Sequence, residues 1–240
     1  MKNSLLLAAF TILGLVTFAQ DNDVINDKNA EKRNVTGFHA VEISAGIDLY
    51  FSQGDDAVAI SAANTSDRDR ILTEVTSNGV LKIYIKSDGF HWNQRGDRKL
   101  KAYVSCKKLD ALRASGGSDV YIKDVVKGDK LDMSLSGGSD LKGKLEVGNL
   151  LVTISGGSDS YISGKASQLS VNASGGSDFH GYDLSAEECN VQASGGSDIY
   201  ITANKALTVS ASGGSDVSYK GAAVIQSHQS SGSSSIHHKS

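Results

Sequence analysis

The sequence contains no proline, two cysteines and one tryptophan among its 240 residues. The lack of proline excludes collagen-like chains and proline-rich linkers. Lys and Arg number 24 against 27 Asp and Glu, so the excess of basic residues that nucleic-acid binding requires is missing. Glycine, in contrast, is abundant at 26 copies. The length is sufficient to bury a sizeable core in one domain or in two small ones.

The first 19 residues have the pattern of a secretory signal peptide. Lys2 supplies a positive charge, residues 5–18 are largely apolar, and Thr17 and Ala19 place small side chains before a cut at Gln20. The apolar run is shorter than the ~20 residues of a membrane-spanning helix, so we expect no transmembrane span after cleavage. The sequence therefore predicts export to the periplasm, the outer-membrane surface or the extracellular space, with residues 20–34 as a flexible polar leader.

The pentapeptide Ser-Gly-Gly-Ser-Asp occurs six times in the second half of the chain. The copies begin at Ser115, Ser136, Ser155, Ser174, Ser194 and Ser212. Their spacings are 21, 19, 19, 20 and 18 residues. A near-constant period of this size predicts a solenoid, in which each repeat forms one coil and buries its apolar face against its neighbours.

The residues before each motif alternate between apolar and polar, which is typical of a strand with one buried face. The third position before each motif is Leu112, Met133, Val152, Val171, Val191 or Val209. We therefore predict an all-β fold, a right-handed parallel β-helix with coils of about 19 residues. The paired glycines permit a tight bend at each corner, because glycine has no Cβ to clash. Residues 111–226 form this repeat region, and residues 227–240 form a degenerate terminal coil, with an eroded motif starting at Ser230, and a tail.

Residues 35–110 are β-rich but lack the strict repeat. Alternating segments at 38–51, 58–62, 80–86 and 100–105 predict strands. Residues 66–72 are predicted to form a helical turn with Ser66 as its N-cap, and residues 87–99 an exposed loop that carries Trp92. The segment Ser-Ala-Gly-Ile-Asp that starts at Ser44 is similar to the repeated motif, which indicates a coil there.

The cysteines provide an independent check on the coil model. Cys189 occupies a position five residues before its motif that leucine fills in other coils, so we expect it to be buried. Cys106 precedes the first motif by nine residues, about four coils away. Because a disulfide needs Cα atoms within ~7 Å, we predict no bridge between them.

Three segments in this order resemble the head GIN domain family, a family described as putative auto-transporter adhesins and found in Bacteroidetes-type bacteria. The segments are GFHAVEISAGIDLYFSQGD, NGVLKIYIK and LRASGGSD. The resemblance covers about residues 35–226. It implies a right-handed β-helix-like fold with pectin-lyase-type relatives, no retained catalytic residues and a role in cell adhesion.

The motif aspartates are the first candidates for a binding site. They are Asp119, Asp140, Asp159, Asp178, Asp198 and Asp216. Stacked at the coil spacing, neighbouring carboxylates repel by roughly 1 kcal/mol in water. One hypothesis is that backbone N–H groups and serine hydroxyls at the bend satisfy them. The other is a Ca²⁺ ladder between coils, because Ca²⁺ prefers carboxylate and carbonyl oxygens.

Tyrosines stand two residues after three of these aspartates, at Tyr121, Tyr161 and Tyr200. By alternation they point outward on the same side as the carboxylates. Such a stripe could grip a surface glycan or a protein loop, since rings stack and carboxylates accept hydroxyl hydrogen bonds. The competing interpretation is that tyrosine simply favours strands.

No H-E-x-x-H, G-x-S-x-G or P-loop motif is present, and six equivalent aspartates favour a structural role over one active site. The sequence therefore predicts an exported, non-catalytic binding or adhesion module with a surface glycan or protein as its partner. Two alternatives stay open: a β-helix enzyme that acts on acidic polysaccharide, and an envelope structural protein without a specific ligand.

Overall fold

The computed structural model describes residues 27–86 and 99–239. The predicted signal peptide, the first part of the leader and the segment with Trp92 lie outside these residues. The described chain forms one sixteen-stranded sheet and one short helix, α1 (Thr65–Arg68). The strands are β1 (Glu31–Arg33), β2 (Ala40–Ile43), β3 (Asp48–Gln53), β4 (Ala57–Ser61), β5 (Ile71–Val75), β6 (Val80–Ile85), β7 (Lys101–Cys106), β8 (Ala111–Ser115), β9 (Val120–Ser136), β10 (Leu141–Ser155), β11 (Asp159–Ser174), β12 (Asp178–Ala193), β13 (Asp198–Ala211), β14 (Asp216–Lys220), β15 (Val224–Ser230) and β16 (Ser235–His238).

The sheet is wound into a solenoid of about seven turns with coils of about 19 residues, which confirms the predicted parallel β-helix. Strands β9 to β13 each run from one Gly-Gly corner to the next and pair in parallel with the strands of the adjacent coils. Equivalent residues face each other across coils, as Val152 faces both Met133 and Val171. Within the described residues, no helix has the length and apolar character to cross a membrane.

The interior consists of aliphatic columns, one residue per coil. Val152, Val171 and Val191 are completely buried, as are Leu112 and Met133 in the same column. Burying a side chain of this size contributes about 1.5–3 kcal/mol relative to leaving it exposed, so the columns supply the main force that holds the coils together. The alternation before each motif therefore predicted the interior correctly.

The coils of the N-terminal portion do not follow the order of the chain. Strands β2 and β3 form a coil that stacks directly on the coil of β8 and β9. Strands β6 and β7, which lie between these two coils in sequence, stack on the other side of β2 and β3. A coil does begin at Ser-Ala-Gly-Ile-Asp, as predicted, and it sits next to the first motif. Ala45 and Gly46, both at φ 69°, have the same left-handed backbone as the two glycines of that motif.

Antiparallel strands close the N-terminal end of the solenoid. β4 pairs with β7, and β1 pairs with β4 in turn. The structure differs here from the predicted flexible leader, because Glu31 joins an ion pair with Arg68 at 2.6 Å and β1 has a backbone partner. The helix also differs from its prediction: Asn64, not Ser66, is the N-cap, and its Oδ1 accepts the Asp67 N–H at 2.8 Å.

The eroded seventh motif lies one residue later than predicted. Ser235 pairs with Asp216, and the Ser231 N–H donates to the Ala211 carbonyl at 3.1 Å, so the motif begins at Ser231 rather than Ser230. The serine run leaves the alignment ambiguous in sequence. Gly232 resolves it, because its φ of 72° places it over the first glycine of the preceding corner.

Identical pentapeptides adopt two corner conformations. In the first three motifs both glycines have positive φ, whereas from the fourth motif onward only the first glycine does. The motif serines change with them. Ser139 and Ser158 accept a backbone N–H from the preceding coil at 3.0 Å, whereas Ser177 and Ser197 donate to the carbonyl three residues earlier.

Both cysteines are free and buried, in different strands. Cys189 lies between Leu169 and Leu207 in its column, as its position predicted. Burial raises the pKa of both thiols to about 12, so neither is an ionised nucleophile at neutral pH.

A buried serine without a hydrogen-bond partner interrupts one aliphatic column. Ser160 lies between Leu141 and Phe179, is completely buried, and its Oγ contacts no partner among the described residues. Ser158, two residues earlier, is equally buried, but its Oγ accepts the Ser139 N–H. The two serines therefore form a matched pair.

We predict opposite effects of the same substitution at these two positions. Ser160→Ala removes an unsatisfied hydroxyl and should raise the free energy of unfolding by about 1 kcal/mol, whereas Ser158→Ala leaves a buried N–H unpaired and should lower it by about 1–2 kcal/mol. Denaturant unfolding measures both changes. Destabilisation by Ser160→Ala would show that its hydroxyl is bonded.

A second matched pair tests the corners. Gly156 and Gly157 both have positive φ, but a Cβ on Gly156 would lie 3.1 Å from the Gly137 nitrogen, whereas one on Gly157 meets nothing within 4 Å. Each alanine substitution should cost about 1 kcal/mol for the left-handed backbone. Gly156→Ala should cost more because adjacent coils must separate. Equal losses in thermal unfolding would mean that corner contact is unimportant.

Candidate functional site

The motif aspartates form a column along the outside of the solenoid. Asp159, Asp178, Asp198 and Asp216 are paired in register from coil to coil. An N–H···Oδ1 hydrogen bond of 3.1–3.2 Å links neighbouring members of the column, donated by the backbone of the later aspartate. These bonds run from Asp140 to Asp119, from Asp159 to Asp140, from Asp178 to Asp159 and from Asp198 to Asp178.

The aspartates are satisfied differently from the prediction. For the first four aspartates the N–H donor comes from the following coil and not from their own bend, because stacking brings the next aspartate's backbone to Oδ1. In the described residues, a serine hydroxyl reaches this column at Asp216, where Ser235 Oγ donates. The second serine of each motif is buried inside the corner instead. The bonded carboxylates are thus part of the coil-to-coil pairing.

Burial, together with the charges of Asp178 and Asp140, raises the pKa of Asp159, although the N–H of Asp178 opposes this shift. Among the described residues, both in this column and elsewhere, no group of three or more His, Cys, Asp or Glu side chains is placed to hold a metal ion.

An aromatic column runs beside the carboxylates. Tyr121, Tyr161 and Tyr200 all belong to it, as predicted, and the same register adds Tyr103, Tyr50 and His180. The rings stack in two groups. Ring centroids are separated by 5.3 Å for Tyr103–Tyr50, 5.1 Å for Tyr50–Tyr121, 4.4 Å for Tyr161–His180 and 5.2 Å for His180–Tyr200.

The two columns contact each other through tyrosine hydroxyls. Tyr200 donates to Asp198 Oδ2 at 3.3 Å and Tyr121 to Asp119 Oδ2 at 3.5 Å. Burial and then the adjacent carboxylate raise the pKa of both phenols, so they stay protonated donors. We call the carboxylate column and the aromatic column together the stripe.

The stacking limits how a ligand can use the rings. The sequence indicated rings available for stacking, but most ring faces are covered by the neighbouring ring, with interplanar angles of 6–26°. What the stripe presents outward is a line of ring edges, hydroxyls and carboxylates. Tyr50 and His180 were missed as site residues, although Tyr50 stands two residues after Asp48 of the motif-like segment and His180 two after Asp178.

We predict that Asp159→Asn stabilises the protein at neutral pH. Asparagine keeps an Oδ1 to accept the Asp178 N–H but removes a charge, so the gain should be up to about 1 kcal/mol. A raised folded-state pKa means that ionised Asp159 destabilises the native state, so the gain should grow as pH rises through that pKa. It should vanish below the ordinary pKa of 3.8.

Thermal unfolding across pH 3–8 measures this difference, with the exposed Asp124→Asn as the control outside the column. In 1 M salt the gain should shrink, because salt screens the repulsion. A gain that persists at pH 3 would mean that carboxylate repulsion is not its source.

Comparison with known proteins places the chain in a family. No curated protein matches it. Among solved structures, a "putative adhesin" from Bacteroides fragilis has a TM-score of 0.78 at 20% identity, covering 88% of this chain and 96% of that one. A "putative adhesin" from Parabacteroides merdae has a TM-score of 0.69 at 16% identity, covering 88% and 95%. A "putative lipid binding protein" from Parabacteroides distasonis has a TM-score of 0.68 at 20% identity, covering 89% and 98%.

At these identities the solved structures show a shared fold. The family model is more specific: the one described as "Putative auto-transporter adhesin, head GIN domain" matches residues 37–223. Because that match spans most of the sequence, this chain belongs to the head GIN domain family.

Proposed function

We propose that this chain is an exported, non-catalytic adhesion module whose stripe contacts a polymer or protein of a cell surface. The observation that carries the proposal is the stripe itself. From Tyr103 to Tyr200 it occupies seven register positions, which is about 29 Å at ~4.8 Å per coil. The description of the family as adhesins supports the same function.

The length and regular spacing of the stripe suit an extended ligand. It offers a repeating set of hydrogen-bond acceptors and ring edges at a fixed interval, so a chain-like partner could make the same contact at several coils. Repetition of weak contacts raises overall affinity without any single strong site. Tyr161 and Tyr121 are 45% and 36% exposed, so their rings are accessible to such a partner.

The carboxylates fit binding better than catalysis. A general acid or nucleophile needs one carboxylate whose environment differs from that of its neighbours. Here four successive carboxylates each accept the backbone N–H of the next coil in the same way. A column of negative charge also repels an acidic polysaccharide, which weakens the case for an enzyme that acts on one.

We expect the triple variant Tyr121→Ser, Tyr161→Ser and Tyr200→Ser to lose at least tenfold in affinity for the target of the native protein. Removing three rings takes away hydroxyl donors and contact area worth about 0.5–1.5 kcal/mol each. The measurement is binding of the purified protein to intact cells and to a glycan array. The matched control replaces Thr153, Asn172 and Gln192, an outward column before the corner, with alanine.

Two results would contradict the proposal. One is native protein that binds neither cells nor glycans, which would favour an envelope structural protein. The other is turnover of a polysaccharide that disappears in Asp159→Ala, which would establish an enzyme. The tyrosine variant loses three ring stacks and should melt at a lower temperature than the control, but circular dichroism should show both variants fully folded at the temperature of the binding assay.

A further inference from the structure

The aromatic column has one interruption between its two stacked groups. Lys142 occupies the register position between Tyr121 and Tyr161. It is an exposed side chain whose long stem can move aside with its charge in water. The rings of Tyr121 and Tyr161 therefore flank a position that holds no ring.

Each flanking ring has one covered face and one that points toward Lys142. Tyr121 stacks on Tyr50 at 5.1 Å and 22°, and Tyr161 stacks on His180 at 4.4 Å and 6°. Because a planar ring has two faces, the remaining face of each tyrosine points along the solenoid axis toward the other. They are also the two most exposed tyrosines among the described residues. We call the space between them the Lys142 slot.

The Lys142 slot has the width of one further ring. Two coil steps separate Tyr121 from Tyr161, which is about 9.6 Å at ~4.8 Å per step. An inserted ring that contacts both tyrosines needs carbon–carbon distances of about 3.5–4.0 Å on each side. A six-membered sugar ring, which is thicker than a flat aromatic ring, fills the remainder.

The polar groups around the slot select the kind of sugar. Asp119, Asp140 and Asp159 lie in the same three coils, two residues before each slot position. Asp140 and Asp159 each use Oδ1 for the next coil's N–H, so Oδ2 can accept a sugar hydroxyl, whereas Asp119 Oδ2 already accepts the Tyr121 hydroxyl. Lys142 can donate to another hydroxyl. Three carboxylates against one ammonium disfavour a sugar that carries its own carboxylate.

We propose that the Lys142 slot binds a single neutral hexopyranose residue of a glycan, held between the faces of Tyr121 and Tyr161. The C–H groups of the sugar face the electron-rich rings, and its hydroxyls face the carboxylates and the ammonium. This assignment rests on the proposed function of the stripe and names the chemical class of its ligand.

The test uses Lys142 itself, since substitutions there can close or open the slot without touching the core. Lys142→Tyr should complete the aromatic column, because Tyr103, Tyr50 and Tyr121 already stack in consecutive coils. It should lower affinity for neutral glycans at least tenfold while keeping or raising the melting temperature. Lys142→Ser leaves the slot open and removes only the hydrogen bond of the ammonium, so it should lose about threefold in affinity, clearly less than Lys142→Tyr.

The probes are cellohexaose, maltohexaose and mannohexaose, with a polygalacturonate hexamer as the anionic counterpart, titrated calorimetrically. Gln192→Ala, an exposed residue outside the stripe, is the control and should leave affinity within twofold. Tyr200→Ser removes a stripe tyrosine outside the slot and should lose less affinity than Tyr121→Ser. Tyr121→Ser should lose as much affinity as Lys142→Tyr. These losses in properly folded protein would establish the slot as the sugar site.

Several outcomes overturn the assignment. If Lys142→Tyr binds neutral glycan like the native chain, or if Tyr200→Ser loses as much as Tyr121→Ser, the slot is not the site although stripe binding stands. Tighter binding of the anionic hexamer than of the neutral hexamers also refutes a neutral sugar. The same holds if a tryptophan-rich peptide displaces the protein from cells and no hexose oligomer does. Failure of the native protein to bind cells or any glycan refutes the adhesion proposal as well.

Discussion

The close approach of successive Gly-Gly corners is the constraint on which the rest of the solenoid depends. A Cβ at the first glycine of a corner would lie 3.1–3.4 Å from the backbone of the preceding corner in the first four motifs, and 2.8–2.9 Å in the later ones. Contacts this close disfavour a side chain at the first glycine, and the small residues there keep the strands on either side of the corner close enough to pair. Parallel pairing without offset then places the residues beside each corner over their equivalents in the adjacent coil, and the register shifts lie farther along the strands.

In such stacking, each side chain must tolerate a similar side chain in the coils on either side of it. Aliphatic residues stack on themselves without cost, and motif serines find backbone partners inside the corner. Aspartates repel their equals, and the N–H of the following coil offsets that cost at Oδ1 of Asp119, Asp140, Asp159 and Asp178. Ser160 is the exception, since it is a polar residue in an apolar column beside the bulkier Phe179. A column therefore constrains composition more strongly than a single strand does.

The repeat region was predictable because its information is local and repeated. Alternation before each motif identified the buried positions, and the motif spacing identified the coil. The order of the N-terminal coils was not predictable, since residues 80–106 carry no copy of the motif to reveal where they stack. The C-terminal register was missed by one residue because consecutive serines look alike until Gly232 takes its place over Gly213.

For the site, alternation predicted which side of the strand Asp119 and Tyr121 occupy, and the structure places them together. It could not predict the plane of a ring, which depends on the ring in the next coil. The donors to the carboxylates were missed for the same reason, since they come from residues about 19 positions away. In a solenoid the decisive neighbours lie across coils, where a single sequence read along the chain does not show them.

The reversed stacking of the early coils also governs the order in which the chain can assemble. Residues 40–53 acquire one neighbour when residues 80–106 arrive and the other only when residues 111–123 follow, so both partners of this coil come from later parts of the chain. Every later coil needs only the surface of the one before it. The N-terminal third therefore has a larger loop-closure cost than the repeat coils, since Leu49 pairs with Val120 whereas Val152 pairs with Val171.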